Sequence, residues 1–278
     1  MPHLGLGHLT IGADPLETID VAAAAGFRSV SIRVAGRRKS DPFRQILGNV
    51  AALKDLRQRL DDTGLRLSSM MPHQFNEETT PDDLKRFAEA ALILRPQYIL
   101  CNDYVPDNGV LDMIASLLDD VFRQNIRVTL EFVAYTEAKS LAATLEKIRR
   151  FGRPGLEVLI DSLHLNRSGG TNAEVSATPR KNLALVQLCD AKRLTHKPTM
   201  EELMSEARTA RLAPGEGDLD LHGFLDALPR DVEIEYEVPH PAHKELPPLE
   251  KAKRAYASFR SYLDGYAASR GFAYNWGK

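Results

Sequence analysis

The sequence predicts an α/β fold, a single (β/α)₈ barrel that takes residues 1–278 as one domain. Short apolar or β-branched runs alternate with longer amphipathic stretches along the whole chain, which is the pattern of a parallel sheet. No linker, low-complexity tract or shift in composition divides the 278 residues, and barrels of this kind commonly use about 250. The eight strand candidates are residues 4–9, 29–34, 66–71, 98–102, 127–132, 157–161, 184–189 and 232–238.

Capping residues mark the helices between these runs. Asp14 and the proline after it predict a helix start, and Gly26 predicts the end of that helix. Thr80 and the proline after it predict a second start, while Gly64 predicts the end of the long helix before the third strand. The longest predicted loop, about residues 191–221, separates the last two strands, where long loops usually serve function.

An open, doubly wound sheet is the alternative arrangement for eight alternating strands. That fold usually carries a glycine-rich phosphate turn after its first strand. The glycines within residues 5–12 have a different spacing and follow no complete strand. The sequence therefore favours the barrel.

Composition and charge favour a soluble protein that binds small molecules. The chain has 36 basic and 38 acidic residues, so no positive field would attract nucleic acid or an anionic membrane. No run approaches the roughly 18 apolar residues that a membrane helix needs, and the first residues do not resemble a secretion signal. Cys101 and Cys189 lie in apolar runs and are expected as reduced thiols, so the default location is the cytoplasm.

Polar residues end the strands in the second half of the chain, where barrel enzymes carry their catalytic groups. Converging carboxylates repel one another unless a cation neutralises them, and oxygen-rich ligand sets suit Mg²⁺ or Mn²⁺. The sequence therefore predicts one divalent metal ion at the C-terminal mouth of the barrel. The alternative is that each residue is a separately satisfied polar group. The residues concerned are Glu131, Asp161, Gln187, Glu235 and Glu237.

The eighth strand offers two candidate ligands. Glu233, Glu235 and Glu237 all share one face under the two-residue period of a strand. Glu237 is the predicted ligand because it lies nearest the C-terminal end, and Glu235 is its rival.

Two residues in the first half of the chain are also candidates. His73 follows the third strand and could act as an acid or base, since histidine needs little tuning to work near neutral pH. Arg33 ends the second strand and could bind a carboxylate or phosphate bidentately. Their alternatives are a loop histidine without a role and a surface guanidinium at a strand end.

The order of these residues resembles the xylose isomerase-like TIM barrel superfamily of sugar phosphate isomerases and epimerases, over nearly the whole chain. Members carry Glu, Asp, His and Glu metal ligands on strands five to eight, a second His three residues after the Asp, and a basic residue six after the strand-seven ligand. Residues 214–221 also resemble the loop that leads into the last helix and strand of the family. The resemblance implies Glu131, Asp161, Gln187 and Glu237 as ligands, with His164 and Arg193 at the other two positions.

Gln187 departs from the usual histidine of the seventh strand. An amide oxygen is a harder ligand than imidazole, so the preferred metal shifts towards Mn²⁺ or Mg²⁺, with Co²⁺ and Zn²⁺ still compatible. A glutamine ligand also resembles the 3-dehydroshikimate dehydratase branch of the superfamily.

The resemblance implies a metal-dependent isomerase or epimerase of carbohydrate metabolism, acting on a keto sugar, sugar phosphate or polyol through an enediolate. Glu131 and Glu237 would bind the metal and exchange the proton, as in epimerase relatives, while His164 or His73 would act as acid or base in a dehydratase-like variant. The runner-up is a lyase, a dehydratase of the 3-dehydroshikimate or inosose type, in which a β-hydroxyl leaves instead.

Two other classes of protein are compatible with a barrel of this length. A non-catalytic barrel that binds a small molecule is the alternative from another class, and the Gln187 substitution is its only sign. Endonuclease IV-like enzymes need several histidine ligands and a basic groove, which this sequence lacks. The expected partner is a small-molecule substrate, and neither nucleic acid nor a membrane is expected. Relatives in the superfamily are often dimers or tetramers, so a homo-oligomer is compatible with the resemblance.

Overall fold

The computed structural model describes residues 4–41, 43, 46–71 and 74–274. Eight parallel strands close into a barrel in which each strand pairs with the next and the eighth returns to the first. The predicted (β/α)₈ barrel is confirmed. The strands are β1 (Leu4–Leu6), β2 (Ser29–Arg33), β3 (Arg66–Met71), β4 (Tyr98–Asn102), β5 (Arg127–Glu131), β6 (Leu156–Asp161), β7 (Leu183–Leu188) and β8 (Glu233–Tyr236).

Helices connect the strands around the outside of the barrel. Asp14 caps the first helix by accepting a hydrogen bond from the Leu16 amide, and Gly26 ends it with φ of 101°, as predicted. The helices are α1 (Pro15–Ala25), α2 (Val50–Thr63), α3 (Pro81–Leu94), α4 (Gly109–Val121), α5 (Leu141–Phe151), α6 (Ser162–Arg167), α7 (Asn172–Ala177), α8 (Met200–Thr209), α9 (Leu221–Asp226) and α10 (Pro248–Ser269). Within the described ranges, none of them combines the length and apolarity needed to cross a bilayer.

The connection between β7 and β8 differs from the sequence prediction. The expectation of one continuous loop over about residues 191–221 was wrong, because α8 lies inside it. Thr199 and Glu202 form a reciprocal capping box that starts this helix, and such a box satisfies backbone amides that would otherwise lack partners. The helix carries basic residues back towards the mouth of the barrel.

Strand register brings the polar residues of β6, β7 and β8 to one level. Asp161 pairs with Gln187, and Gln187 pairs with Glu235. The strands themselves are almost entirely buried, and Cys101 and Cys189 are both free and buried in them or directly after them. This agrees with the sequence-based expectation of two buried thiols that form no disulfide.

Candidate metal and substrate site

Three side chains at the ends of β5 and β6 form a compact cluster. Glu131 ends β5, Asp161 ends β6, and His164 lies in the first turn of α6. One ligand atom from each of these buried residues lies within 4.8 Å of the other two. Carboxylate oxygens and an imidazole nitrogen at this spacing are a donor set that can hold a divalent metal ion.

The Asp161 to His164 spacing has a structural cause in the cap of α6. Asp161 Oδ1 accepts hydrogen bonds from the amides of Leu163, at 2.7 Å, and His164, at 3.1 Å. A carboxylate at this position starts the helix and satisfies its first amides. The cap therefore turns His164 back towards the carboxylate that precedes it.

Arg211 is a buried cation within this cluster. Its Nη1 atom lies 2.6 Å from Asp161 Oδ2 and 3.4 Å from Glu237 Oε2, and Nε donates to the carbonyl of Ala207. The side chain is 1% exposed. Arg211 therefore neutralises part of the negative charge and joins the end of β6 to the residue after β8.

The sequence analysis did not find Arg211, since it lies on no strand. The only sequence signal was its place three residues before the segment 214–221. Arg193, which the resemblance implied, is exposed on the surface, and its backbone amide donates to Asp218. The structure does not bring the Arg193 side chain into the cluster.

The two candidate glutamates of the eighth strand have different surroundings. Glu237 Oε1 lies 3.1 Å from His8 Nδ1, and its other oxygen faces Arg211. Glu235 accepts hydrogen bonds from Gln187 and from Ser68. Glu237 thus contacts cationic or titratable groups and lines the cleft at the mouth, whereas Glu235 binds neutral donors one level below.

Glycines of the first strand make room for both glutamates. A Cβ on Gly5 would lie 2.8 Å from Glu235 Cγ, and one on Gly7 would lie 2.6 Å from Glu237 Cβ. Contacts that short are not tolerated between carbon atoms. The Gly-Leu-Gly run is therefore required by the carboxylates of the neighbouring strand.

Gln187 carries a buried oxygen without a partner. Its Nε2 donates to Glu235 Oε2 at 3.1 Å, while Oε1 has no hydrogen bond from any described residue. A buried acceptor left in this state costs about 1–3 kcal/mol. Gln187 is aligned with Asp161 on the neighbouring strand, so its unpartnered oxygen could serve as a metal ligand.

Burial and mutual repulsion set the protonation of the acidic cluster. Burial, followed by the charges of Glu237 and Asp161, raises the pKa of Glu131 to about 8. Burial acts in the same direction on Glu237, but His8 and Arg211 outweigh it and lower its pKa to about 2. Glu131 is therefore largely protonated near pH 7 in the metal-free protein, and a divalent cation beside it would favour the ionised carboxylate.

A cavity of about 660 Å³ opens outside this cluster. It continues into a smaller cleft that reaches Glu131, His164, Arg211 and Glu237. Residues of both the cavity and the cleft include Arg33, Arg37, Arg208, Gln74 and Tyr104. His73 lies outside the described residues.

Asp41 is a carboxylate in the lining of the same cavity, but among the described residues no acidic side chain lies within ion-pair distance of the arginines at the mouth. Burial, and next the charge of Arg37, lowers the pKa of Arg33 to about 10, and burial followed by Arg208 lowers that of Arg37. Arg33 donates instead to the carbonyl of Ala35 at 3.2 Å. Over the described ranges none of the three forms an ion pair with an acidic side chain, so the mouth suits an anionic ligand.

The chain belongs to the xylose isomerase-like TIM barrel family, whose model matches residues 19–262. A curated relative from Pseudomonas putida, named 3-dehydroshikimate dehydratase, is 22% identical over 223 residues, covering 75% of this chain and 33% of the relative. A relative from Pseudomonas aeruginosa carries the same name. The chain spans about a third of the length of these relatives.

Solved structures of the same fold include proteins with different activities. The IOLI protein with a bound zinc atom has a TM-score of 0.77 at 16% identity, covering 95% of this chain and 99% of that chain. D-allulose 3-epimerase from Methylomonas sp. has a TM-score of 0.67 at 18% identity, covering 94% of this chain and 98% of that chain. Named relatives thus include epimerases and dehydratases, and the shared element is the barrel.

Proposed function

We propose that this chain is a divalent-metal-dependent dehydratase that acts on an anionic hydroxy-keto acid of the 3-dehydroshikimate type. One observation carries the proposal: a buried cluster of two carboxylates and an imidazole lies beneath a mouth lined by three arginines that, among the described residues, form no ion pair with a carboxylate. The name of the curated relatives supports the same substrate class.

The residues that would hold the metal are Glu131, Asp161, Gln187 and Glu237. They offer carboxylate and amide oxygens, which favours Mn²⁺ or Mg²⁺. A divalent ion held there supplies Lewis-acid stabilisation of the negative charge that develops on a substrate carbonyl oxygen. The unpartnered oxygen of Gln187 and the raised pKa of Glu131 support this assignment.

The arginines would bind and orient the substrate. Arg33, Arg37 and Arg208 line the passage from the cavity to the acidic cluster. A guanidinium binds a carboxylate through two parallel hydrogen bonds, which fixes both position and angle. The carboxylate of the substrate would therefore face the arginines while its keto group faces the metal ligands.

His164 lies in the same cluster as Glu131 and Asp161, and we assign it the role of proton acceptor and not that of a metal ligand. Burial lowers its pKa to about 4 in the metal-free, substrate-free protein, so the imidazole is neutral near pH 7. Negative charge that develops on a substrate beside it would raise that pKa and its strength as a base. Its Nε2 atom lies 3.8 Å from Glu131 Oε1. Removal of a proton beside the keto group, departure of the β-hydroxyl as water, and enolisation would convert 3-dehydroshikimate into a dihydroxybenzoate.

Isomerisation or epimerisation of a sugar phosphate is the second candidate function. It would use the same metal and base but return the proton to carbon instead of expelling a hydroxyl. The phosphate dianion would also fit the arginines, whereas a neutral ketose would leave them without a counter-charge. The arginines of the mouth therefore favour a phosphorylated or carboxylated substrate over a neutral sugar.

Product analysis with purified protein would test the proposal. Protein stripped with a chelator would be reloaded with Mn²⁺ or Mg²⁺ and mixed with 3-dehydroshikimate. We expect a metal-dependent rise in catechol absorbance and an aromatic product in the NMR spectrum. Deuterium uptake from D₂O into a ketose phosphate, without an aromatic product, would favour the second candidate function. Protein that binds no metal would contradict both candidates and support a non-catalytic barrel that binds a small molecule.

A further inference from the structure

We infer that Glu235 is a positioning residue that fixes the side-chain amide of Gln187, so that the amide oxygen and not its nitrogen is presented to the metal. This inference rests on the metal site of the proposed function. It assigns the rival glutamate of the eighth strand a role other than that of a ligand.

The orientation of the Gln187 amide depends on its contact with Glu235. Glu235 accepts a hydrogen bond at each oxygen, from Gln187 and from Ser68, and an amide has an acceptor oxygen and a donor nitrogen. Gln187 Nε2 donates to Glu235 Oε2 at 3.1 Å, which directs Oε1 away from Glu235 and leaves it unpartnered. With Glu235 Oε2 acting as an acceptor, the flipped amide would place its oxygen against another acceptor and its NH₂ group towards a cation, and both contacts are repulsive.

Glu235 is itself held in place on its other side. Ser68 donates to its second carboxylate oxygen, and the absence of a side chain on Gly5 leaves just enough room for the Glu235 side chain. The strand register aligns Glu235 with Gln187, and the carboxylate is completely buried. Both of its oxygens are therefore occupied by neutral donors of the protein.

The neighbouring glutamates of the strand do not share this arrangement. Glu237 contacts His8 and Arg211 at the mouth, and Glu233, one level lower, accepts from Ser29 and pairs with Arg66. Of the three, only Glu235 contacts Gln187. Carboxylates behind metal-binding histidines orient the imidazole in the same way, and their loss typically weakens metal binding about 10- to 100-fold.

Mn²⁺ affinity measured by titration calorimetry on the full chain would test the inference. We expect Glu235→Leu to weaken Mn²⁺ binding about 10- to 100-fold, and to have no further effect in a Gln187→Ala background, where no amide remains to be oriented. Ser68→Ala should weaken binding in the same direction. Ser29→Ala is the matched control, because Ser29 is an equally buried serine that donates to Glu233, and it should bind Mn²⁺ like the wild type.

The outcomes separate this inference from the proposed function. Wild-type protein that does not bind Mn²⁺ would overturn both. Wild-type protein that binds Mn²⁺, with Glu235→Leu binding equally well or with additive losses in the double variant, would overturn the role of Glu235 alone. Should Glu235→Leu fail to fold, equal binding by Ser68→Ala and Ser29→Ala would still contradict it.

Discussion

Arg211 is the residue on which the charge balance of the site depends. It places one positive charge between Asp161 and Glu237, so these two prospective ligands stay together before any metal binds. A buried ion pair that loses one partner typically destabilises a protein by about 3–5 kcal/mol, because the other charge is left unpaired. The same guanidinium also fills part of the space beside Asp161 and Glu237 and neutralises part of their negative charge. A metal ion at this site would compete with it for both.

Arg211→Met should lower the free energy of unfolding of the metal-free protein by about 3 kcal/mol. Mn²⁺ should restore more stability to this variant than it adds to the wild type, because it would replace the missing positive charge. Urea unfolding with and without Mn²⁺ measures both effects. Arg193→Met is the control, since its exposed side chain should contribute less than about 0.5 kcal/mol; equal losses in the two variants would contradict the prediction.

Arg33→Met should raise the KM for a carboxylated substrate about 10- to 100-fold, with a smaller change in kcat. A hydrogen bond to a charged group contributes about 1.5–3 kcal/mol, and Arg33 lies in the lining of the mouth and not among the metal ligands. Steady-state kinetics with 3-dehydroshikimate and with its uncharged amide analogue measure this. An equal rise in KM for both compounds would show that Arg33 does not recognise the negative charge of the carboxylate.

The acidic residues of the site and Arg33 were predictable from the sequence, whereas Arg208 and Arg211 were not. Glu131 and Asp161 end apolar runs, and the end of a barrel strand has a known place in the fold. Arg211 and Arg208 lie on α8 or directly after it, and their positions depend on the path of a long connection that no local pattern encodes. The approach of Arg211 to Asp161 joins residues 50 positions apart.

At the scale of elements, Asp190 ties the connection after β7 to the barrel. Its Oδ1 atom accepts from the amides of Ala191 and Leu219, and Oδ2 accepts from that of Gly215. A Cβ on Gly217 would lie 2.2 Å from Asp190 Oδ1 and 2.5 Å from the carbonyl of Ala191. The Pro-Gly-Glu-Gly segment is therefore a packed support for the loop that carries Arg211.

Gly217→Ala should destabilise the protein by about 2 kcal/mol, since the methyl group must displace backbone or the Asp190 carboxylate. Chemical unfolding measures the change. Gly265→Ala in α10 is the matched control, because its Cβ would meet open space, and alanine in a helix should be neutral or stabilising by up to about 1 kcal/mol. Equal stability of the two variants would show that the backbone around Gly217 moves enough to accommodate the methyl group.

At the scale of the whole molecule, the barrel was predictable because its strands alternate with capped helices. Every predicted strand overlaps an observed one, and Gly26 and Gly64 end helices as expected. The register that aligns Asp161, Gln187 and Glu235 is a property of barrel closure, which short-range patterns do not contain. The cytoplasmic location and the homo-oligomer stay predictions.

Closure also gathers ionisable groups in one interior, which makes the stability of the metal-free protein depend on pH. Burial raises the pKa of Glu131 and of Glu235 to about 8, from 4.5. The folded state therefore keeps protons that the unfolded chain releases, and this stabilisation, complete below pH 4.5, is lost as the pH rises through 8. Burial lowers the pKa of His164 from 6.5 to about 4, which acts in the opposite direction but only below pH 6.5.

Between pH 6.5 and 8 the carboxyl groups dominate, so the melting temperature of chelated protein should fall with rising pH. Each group contributes at most about 1.4 kcal/mol per pH unit. Mn²⁺ should reverse the trend, because a ligating carboxylate must be deprotonated and binding then strengthens with pH. Calorimetry would measure how the melting temperature changes with pH, once in chelator and once in Mn²⁺. Glu131→Gln should make the melting temperature in chelator less dependent on pH. The same pH dependence in chelator and in Mn²⁺ would place the metal away from Glu131.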